Sequence, residues 1–318
     1  MSNDNSYPFV SVIIPLFNEE KWIGEVITKL LQIDYPKDKY EIIVVDNGST
    51  DNSLEVVKKF DVTIINDPSS KVGGVRNTGT EIAKGEIYAF LDSDCLVGDQ
   101  WLSAAVKTFK DSNVGAVGGS LLLRENPSWV EKAWAINNVA KEGKTSSLMG
   151  GSFILKADLF NRVGKFDKLI NAGEDTKLSN RITQKGKQLL FVRECAVVHL
   201  GYPSNIYGFC KRQYWHSSSY KTSNNGIKDK VFILVWLALL SLFSLILYLI
   251  TDNKFTLYGS AFLIVNPAIL SIHRIVKSES KYLTLKTILQ IYILDLLYLL
   301  SRMCGLFTSY ILDPYRKN

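Results

Sequence analysis

The chain has 318 residues, with 37 Lys and Arg against 31 Asp and Glu, a formal net charge of +6. Apolar residues at 47% and charged residues at 21% describe a folded chain of about two domains, and exclude a disordered or low-complexity one. Eight Pro and 21 Gly exclude a collagen repeat, and four cysteines (Cys95, Cys195, Cys210, Cys304) without short paired spacing support neither a disulfide framework nor a cysteine-type zinc site, so they are expected as reduced thiols.

No basic cluster precedes an early apolar core, so no signal peptide is expected after the polar start at Met1 to Ser6. Phe9 to Pro15 and Tyr40 to Val45 are continuous β-branched runs of the kind buried parallel strands require. Val62 to Ile65 and Ile87 to Leu91 continue the series. Amphipathic stretches lie between them, at Glu20 to Leu31, Asp51 to Phe60 and Gly74 to Ala83. Strand, helix and strand at this spacing predict a doubly wound, mostly parallel α/β sheet without internal repeats.

Ligands of such sheets bind beyond the carboxyl ends of the strands. Four polar loops fall there: Pro15-Leu16-Phe17-Asn18-Glu19-Glu20, Asp46-Asn47-Gly48-Ser49-Thr50-Asp51, Gly73-Gly74-Val75-Arg76-Asn77 and Asp92-Ser93-Asp94. Asp51 is equally well placed to cap a helix, whereas Asp46 directly follows four apolar strand residues. No G-x-G-x-x-G follows the first strand and no Gly-Lys-Ser/Thr loop occurs, which disfavours a dinucleotide-binding dehydrogenase or a P-loop enzyme. In an extended segment Asp92 and Asp94 face the same way, so both carboxylates can address one hard cation, Mg²⁺ or Mn²⁺, shared with a diphosphate.

Further along, Gly173-Glu174-Asp175 opens an amphipathic helix over Thr176 to Gln184, and Leu189 to Leu200 reads as one apolar strand carrying His199 near its end. Residues 205–220 place Tyr207, Phe209, Tyr214 and Trp215 among Lys211, Arg212 and His216, a pattern suited to an interfacial helix. Val231 to Ile250 then runs twenty residues with only Ser241, Ser244 and Tyr248 as polar members, enough to span ~30 Å of bilayer. Phe255 to Ile272 forms a second span kinked at Asn266-Pro267, joined to the first by a tight hairpin at Thr251 to Lys254. Leu285 to Leu312 is interrupted by Lys286, Gln290, Asp295 and Arg302, and predicts either a third span or a helix lying in the interface. From Lys230 onward there are nine Lys and Arg against four Asp and Glu; the cations Arg274, Lys277, Lys281 and Lys286 mark the segment between the later spans as cytoplasmic. The hairpin then puts the first 230 residues on the same side. A nucleic-acid partner is not expected.

The ordered set Ser11-Val12-Ile13-Ile14-Pro15 with Asn18-Glu19, Val44 to Asp51, Arg76-Asn77-Thr78-Gly79 and Asp92-Ser93-Asp94 resembles glycosyltransferase family 2 over roughly residues 8 to 220. The resemblance implies a GT-A fold, followed by transmembrane helices, and transfer from a nucleotide-diphosphate sugar with inversion at the anomeric carbon. It implies a nucleotide-sugar site built from Pro15, Phe17, Asn18, Glu19, Asp46, Asn47, Ser49, Arg76, Asp92 and Ser93. Mn²⁺ or Mg²⁺ would be held by Asp92, Asp94 and His199. By the same likeness Asp175 is the general base, with Glu174 beside it, although helix capping favours an acid at that place too. Gly150, Gly151, Ser152 and Trp215 fall on the acceptor side. The family's processive synthases carry Gln-x-x-Arg-Trp where this chain has Arg212-Gln213-Tyr214-Trp215.

The reading is thus a glycosyltransferase domain over residues 1–229 and a membrane region over 230–318, in a multi-pass protein of the cell membrane with a cytoplasmic catalytic domain. The partners expected are a nucleotide-diphosphate sugar, a lipid-linked or other membrane-held acceptor and the bilayer. A processive polysaccharide synthase and a non-catalytic nucleotide-sugar-binding membrane protein are the alternatives.

Overall fold

The computed structural model describes residues 7–170, 172–218, 230–278 and 283–308. They form two compact units: Met1–Arg124 with Asn138–Gly201, and Glu125–Asn137 with Tyr202–Asn318.

The first unit is a layered α/β body. Its strands and helices begin β1 (Val10–Leu16), α1 (Ile23–Leu30), β2 (Tyr40–Asp46), α2 (Ser53–Val57), β3 (Thr63–Asn66), α3 (Val72–Ile82) and β4 (Ile87–Phe90). They continue with β5 (Cys95–Val97), α4 (Trp101–Thr108), β6 (Val114–Gly118) and β7 (Leu121–Leu123). Helix α5 (Trp129–Trp134) departs to the second unit, and the chain returns as β8 (Gly143–Thr145), β9 (Phe153–Lys156), α6 (Ala157–Arg162), α7 (Glu174–Gln184), β10 (Gln188–Phe191) and β11 (Val197–His199). The main sheet has the order β3-β2-β1-β4-β9-β6-β10-β8. It is parallel from β3 to β4, and β9 lies antiparallel between β4 and β6. A second sheet, β5-β11-β7, flanks the end of β4.

The β-branched runs become the strands because both faces are covered. Val10, Val12 and Ile14 turn to one core with Ile23, Val26, Ile27 and Leu30 of α1, spaced to line one helical face. Ile13, Ile43 and Val45 turn to the other. Pro15, which cannot donate to a ladder, lies beyond Ile13, the last β1 residue with a β4 partner.

Two sequence expectations change here. Leu189 to Leu200 is not one strand: β10 joins the main sheet, a 3-10 turn at Arg193–Cys195 redirects the chain, and β11 joins the small sheet. The charged Arg193-Glu194 pair inside the apolar run is what breaks it. Asp92-Ser93-Asp94 is not extended either; the Cys95 amide donates to the Asp92 carbonyl (3.1 Å), closing a turn after β4.

The second unit comprises α5 with α8 (Ile206–Ser218), α9 (Lys230–Thr251), α10 (Lys254–Ser260), α11 (Phe262–Lys277) and α12 (Leu285–Phe307). Helix α8, counted from sequence with the catalytic part, belongs here with α5. Phe232–Thr251, Lys254–Lys277 and Leu285–Phe307 are each long and apolar enough to cross a membrane. The hairpin falls at Asp252 and Asn253, where the Asn253 side chain accepts from the Phe255 amide (3.0 Å). Pro267 lies inside α11, and the boundary between α10 and α11 falls at Ala261, whose backbone stays in the right-handed helical region (φ −57°, ψ −25°).

The polar residues of the third apolar stretch have partners. Asp295 accepts from Arg274 (2.5 Å) and from the Ser271 hydroxyl (2.8 Å). Arg274 also donates to the carbonyls of Ala133 and Trp134 (2.5 and 2.6 Å), with the Trp134 ring 4.9 Å away. Arg274, read from sequence as one of the cations marking a cytoplasmic segment, is a half-buried tie between α5, α11 and α12. Residues 279–282 and 309–312 lie outside the described residues.

Helix α3 approaches the sheet through Gly79: a Cβ there would stand 2.5 Å from Ile13 Cγ2 and 3.1 Å from Val45 Cγ2. Gly79→Ala is expected to cost about 1–3 kcal/mol by overpacking. The measurement is thermal unfolding of the full-length protein in detergent, and an unchanged Tm would contradict this close approach.

Candidate active site

The loops after β1 and β2 are stitched together by side chains that the sequence marked. Asp46 is 3% exposed and accepts from the amides of Gly48 (3.0 Å) and Ser49 (3.2 Å), which wraps the loop around its carboxylate. Gly48 sits at φ +81°, open to glycine at little cost. Asn18, itself at φ +54°, accepts through Oδ1 from the Thr50 amide (2.8 Å), and its own amide donates to Ser49 Oγ (3.0 Å). The Glu19 amide donates to Ser53 Oγ (2.7 Å). Asp51 does not stand at the N-cap, which is Asn52; its carboxylate accepts from the Ser53 amide (3.0 Å) and the Glu20 amide (3.1 Å). Asn47 spends its side-chain amide on the carbonyls of Asp67 (2.6 Å) and Ser70 (2.9 Å), tying in the loop after β3. Phe17 is left 55% exposed at the rim, where it can offer a ring face.

Arg76, in the first turns of α3, is the hinge of the next layer. Its guanidinium is 3% exposed and donates to Asp92 Oδ1 (2.6 Å) and Glu174 Oε1 (2.5 Å), with the Phe166 ring 5.4 Å off. Burial works against its charge, but the two carboxylates hold it protonated above the usual arginine range. Burial raises the Glu174 carboxyl from its ordinary value, Arg76 opposes the rise, and neighbouring Asp175 adds to it. Arg76 was expected to contact the donor; its side chain instead holds the end of β4 against the start of α7.

The same geometry separates the Glu174-Asp175 pair. Gly173, at φ +88°, precedes α7 as its N-cap. Glu174 is buried on Arg76, whereas Asp175 is half-exposed and its Oδ2 accepts from the Gly150 amide (3.0 Å). Gly150 must be glycine here, because a Cβ would stand 2.5 Å from Arg76 Nη2; a Cβ on Gly151 would stand 3.5 Å from Asp92 Oδ2. The Gly150-Gly151 loop is thus brought against Arg76, Asp92 and Asp175. Ser152 is not open to an acceptor: it is fully buried, accepting from Trp101 Nε1 (3.0 Å) and donating to the Cys195 carbonyl (2.9 Å). Ser93 is buried within its turn. Trp215 lies on α8 of the second unit, 51% exposed.

Asp94 and His199 meet across the small sheet, with Asp94 Oδ2 and His199 Nε2 3.6 Å apart and both mostly buried. Cys95 Sγ joins them: one donor atom from each of Asp94, Cys95 and His199 lies within 4.8 Å of the others. A carboxylate, an imidazole and a thiol so gathered form a donor set that fits a divalent cation. Cys95 had no signal in sequence, since its partner His199 is far away in the chain; only the pairing of β5 with β11 places them opposite.

The layered sheet with its polar strand-end loops is a fold of the GT-A type. The family model described as "Glycosyl transferase family 2" matches residues 11–164, and that described as "Glycosyl transferase family group 2" matches residues 88–303, so the chain belongs to glycosyltransferase family 2 and is a glycosyltransferase. It is 31% identical over 210 residues to glycosyltransferase AglE of Haloferax volcanii, covering 63% of this chain and 69% of that protein. It is 29% identical over 157 residues to the dolichyl N-acetyl-α-D-glucosaminyl phosphate 3-β-D-2,3-diacetamido-2,3-dideoxy-β-D-glucuronosyltransferase of Methanococcus voltae, covering 45% of this chain and 46% of that one. Against the Bacillus spizizenii poly(ribitol-phosphate) β-glucosyltransferase it is 30% identical but spans only 30% of that protein's length. The mannosyltransferase PcManGT of Pyrobaculum calidifontis, solved with GDP-Man and Mn²⁺, shares the fold with TM-score 0.60 at 22% identity, over 96% of this chain and 88% of that one.

Arg76→Met leaves Glu174 buried without its cation, and breaking a buried pair in this way costs about 3–5 kcal/mol. An acid whose pKa is raised on folding keeps more protons in the folded state, so stability falls as pH rises above the ordinary value of 4.5. The variant is therefore expected to lose Tm relative to wild type by more at about pH 8 than at about pH 5. Equal losses at both would show Glu174 indifferent to Arg76.

Proposed function

We propose that the protein is an inverting, metal-dependent glycosyltransferase that moves one sugar from a nucleotide-diphosphate donor to an acceptor held at the membrane. The acceptor class we infer is a lipid-linked glycan or a polyprenyl phosphate, used in cell-surface glycan or polysaccharide synthesis. The observation that carries the reaction is the division of labour in Glu174-Asp175: Glu174 is spent on Arg76, and Asp175 keeps an accessible carboxylate beside the Gly150-Gly151 loop.

The donor lies over the stitched loops. Asp46, Asn18, Glu19 and Ser49 shape the pocket for base and ribose, with Pro15 and Phe17 at its wall and Asn47 fixing the loop behind. The diphosphate falls near Asp92 and Asp94. Asp94 and His199 would hold Mn²⁺ or Mg²⁺, which when bound neutralises the charge of the departing diphosphate. The acceptor hydroxyl attacks the anomeric carbon from the face opposite the diphosphate, and Asp175 takes its proton. The bond from the anomeric carbon to the diphosphate oxygen breaks, and its electron pair leaves with the nucleotide diphosphate. One displacement gives inversion.

A membrane-held acceptor is supported by three apolar helices in the second unit and by the Methanococcus voltae relative, whose name puts its acceptor sugar on dolichyl phosphate. The exposed aromatic residues Tyr207, Tyr214 and Trp215 on α8 suit a helix at the headgroup level. We infer a cytoplasmic catalytic unit from the cations Lys277, Lys281 and Lys286 between the later apolar helices.

Asp175→Asn keeps size and shape but removes the proton acceptor. Donor binding is expected to stay near wild type while kcat drops at least ~10²-fold, within the ~10²–10⁴ range of general-base catalysis. A variant that keeps more than about a tenth of wild-type turnover would move the base elsewhere.

Orientation is read by introducing single cysteines into a chain stripped of its own. Cysteines at Ser6 and Ser280 are expected to resist a membrane-impermeant thiol reagent on intact cells, and one at Asn253 to react. The reverse pattern would put the catalytic unit outside.

A further inference from the structure

Resting on the reading of Asp94 and His199 as cation ligands, we propose that Cys95 is a third protein ligand of the same ion. The site would then combine oxygen, nitrogen and sulfur, and take thiophilic divalent cations such as Co²⁺, Zn²⁺ and Cd²⁺ in preference to Mg²⁺.

The placement comes from the backbone. Strand β11 pairs antiparallel with β5, and His199 is directly opposite Cys95. Residues opposed in this way project from the same face of the sheet, with Cβ atoms about 4.5–5.5 Å apart. Asp94 adjoins Cys95, and its carbonyl accepts from the Leu200 amide (2.8 Å), which locks the turn to the end of β11. The three donors are therefore fixed by two strands and one turn, not by flexible loops.

The distances fit one ion. Cys95 Sγ is 3.6 Å from Asp94 Oδ1, and His199 Nε2 is 3.6 Å from Asp94 Oδ2. Sulfur and oxygen donors bound at about 2.3 and 2.0 Å with a tetrahedral angle between them stand about 3.5 Å apart. Those two distances are to different oxygens of Asp94, and one donor atom from each residue lies within 4.8 Å of the others, so the set closes on one ion by drawing the side chains together. Two glycines keep it clear: a Cβ on Gly151 would stand 3.2 Å from Cys95 Sγ, and one on Gly201 would overlap the Asp94 carboxylate. Cys95 Sγ and the Asp92 carboxylate both border the position a Gly151 Cβ would occupy, so the sulfur lies at the floor of the proposed diphosphate site.

The chemistry follows from the donors. Carboxylate, imidazole and thiolate together suit borderline ions, whereas Mg²⁺ prefers an all-oxygen shell. As the metal–sulfur bond forms, the thiol proton passes to solvent. Of the other thiols, Cys210 and Cys304 belong to the second unit, and burial pushes Cys195 up to about 12, which keeps it a neutral thiol.

The test loads the full-length protein in detergent with Co²⁺ alone and records its absorption. Protein with Cys210→Ser and Cys304→Ser is expected to show visible d–d bands and a near-ultraviolet sulfur-to-cobalt charge-transfer band. Adding Cys95→Ser should abolish the charge-transfer band, keep the d–d bands, and weaken Co²⁺ binding relative to Mg²⁺ by at least tenfold. Retention of the charge-transfer band after Cys95→Ser overturns the assignment. Visible d–d bands without charge transfer in the parent protein overturn the sulfur ligand but leave Asp94 and His199 as ligands. Absence of both at saturating Co²⁺ overturns the cation reading itself. Should Cys95→Ser not fold, ¹¹³Cd resonance of the parent decides: a position far downfield, as sulfur ligation gives, supports Cys95, and an oxygen–nitrogen position overturns it.

Discussion

One buried guanidinium organises the catalytic unit. Arg76 takes α3, the turn after β4 and the first residue of α7, elements that share no local sequence, and gives them a common centre. Its planar fork meets two carboxylates at once, which a lysine's single ammonium cannot do in the same fixed geometry. Each partner is then positioned by electrostatics rather than by loop length. Gly79 lets α3 come close enough for Arg76 to reach, and Gly150 leaves room for its nitrogens. With Glu174 consumed in this way, the next residue keeps a half-exposed carboxylate held by the Gly150 and Thr176 amides. The accessible acid is thus a consequence of the buried one.

The central parallel strands β1 and β2 were legible because they are covered on both faces, and such strands must be runs of Val and Ile. The polar loops at their ends were legible for the same reason: Asp46 directly after Val45 has no apolar purpose. What periodicity could not show is what depends on distant pairing. Strand β9 is four residues long and enters the sheet antiparallel between β4 and β6, with nothing in its composition to announce it. The run to His199 reads as one strand because its apolar residues outweigh Arg193 and Glu194, yet its two ends serve different sheets. The Asp-x-Asp segment reads as extended, yet the Cys95 amide closes a turn on the Asp92 carbonyl and the Leu200 amide, far along the chain, bonds the Asp94 carbonyl. Arg274 and Asp295 looked like a loop charge and an interruption; each is the other's partner across two helices.

That second ion pair solves for the apolar helices what Arg76 solves for the sheet. A lone carboxylate at Asp295 would be expensive among Leu294, Tyr298 and Leu299. Ser271, Arg274 and two backbone carbonyls share the polarity, so the third helix can be apolar on its remaining sides.

The origin of those carbonyls has a temporal consequence. Ala133 and Trp134 belong to a thirteen-residue excursion out of the α/β unit, and Ala133 precedes Arg274 by 141 positions. On the ribosome, at about 5–20 residues per second, the excursion emerges roughly 7–30 s before its partner exists. Through that interval Val130, Ala133 and Trp134 have none of their later neighbours on α11 and α12. The sheet, meanwhile, cannot add β8, β9, β6's remaining partner or β11 until the chain has passed beyond this excursion. The nascent chain therefore carries an exposed apolar segment partway through its catalytic half before any of the three long apolar helices has been made.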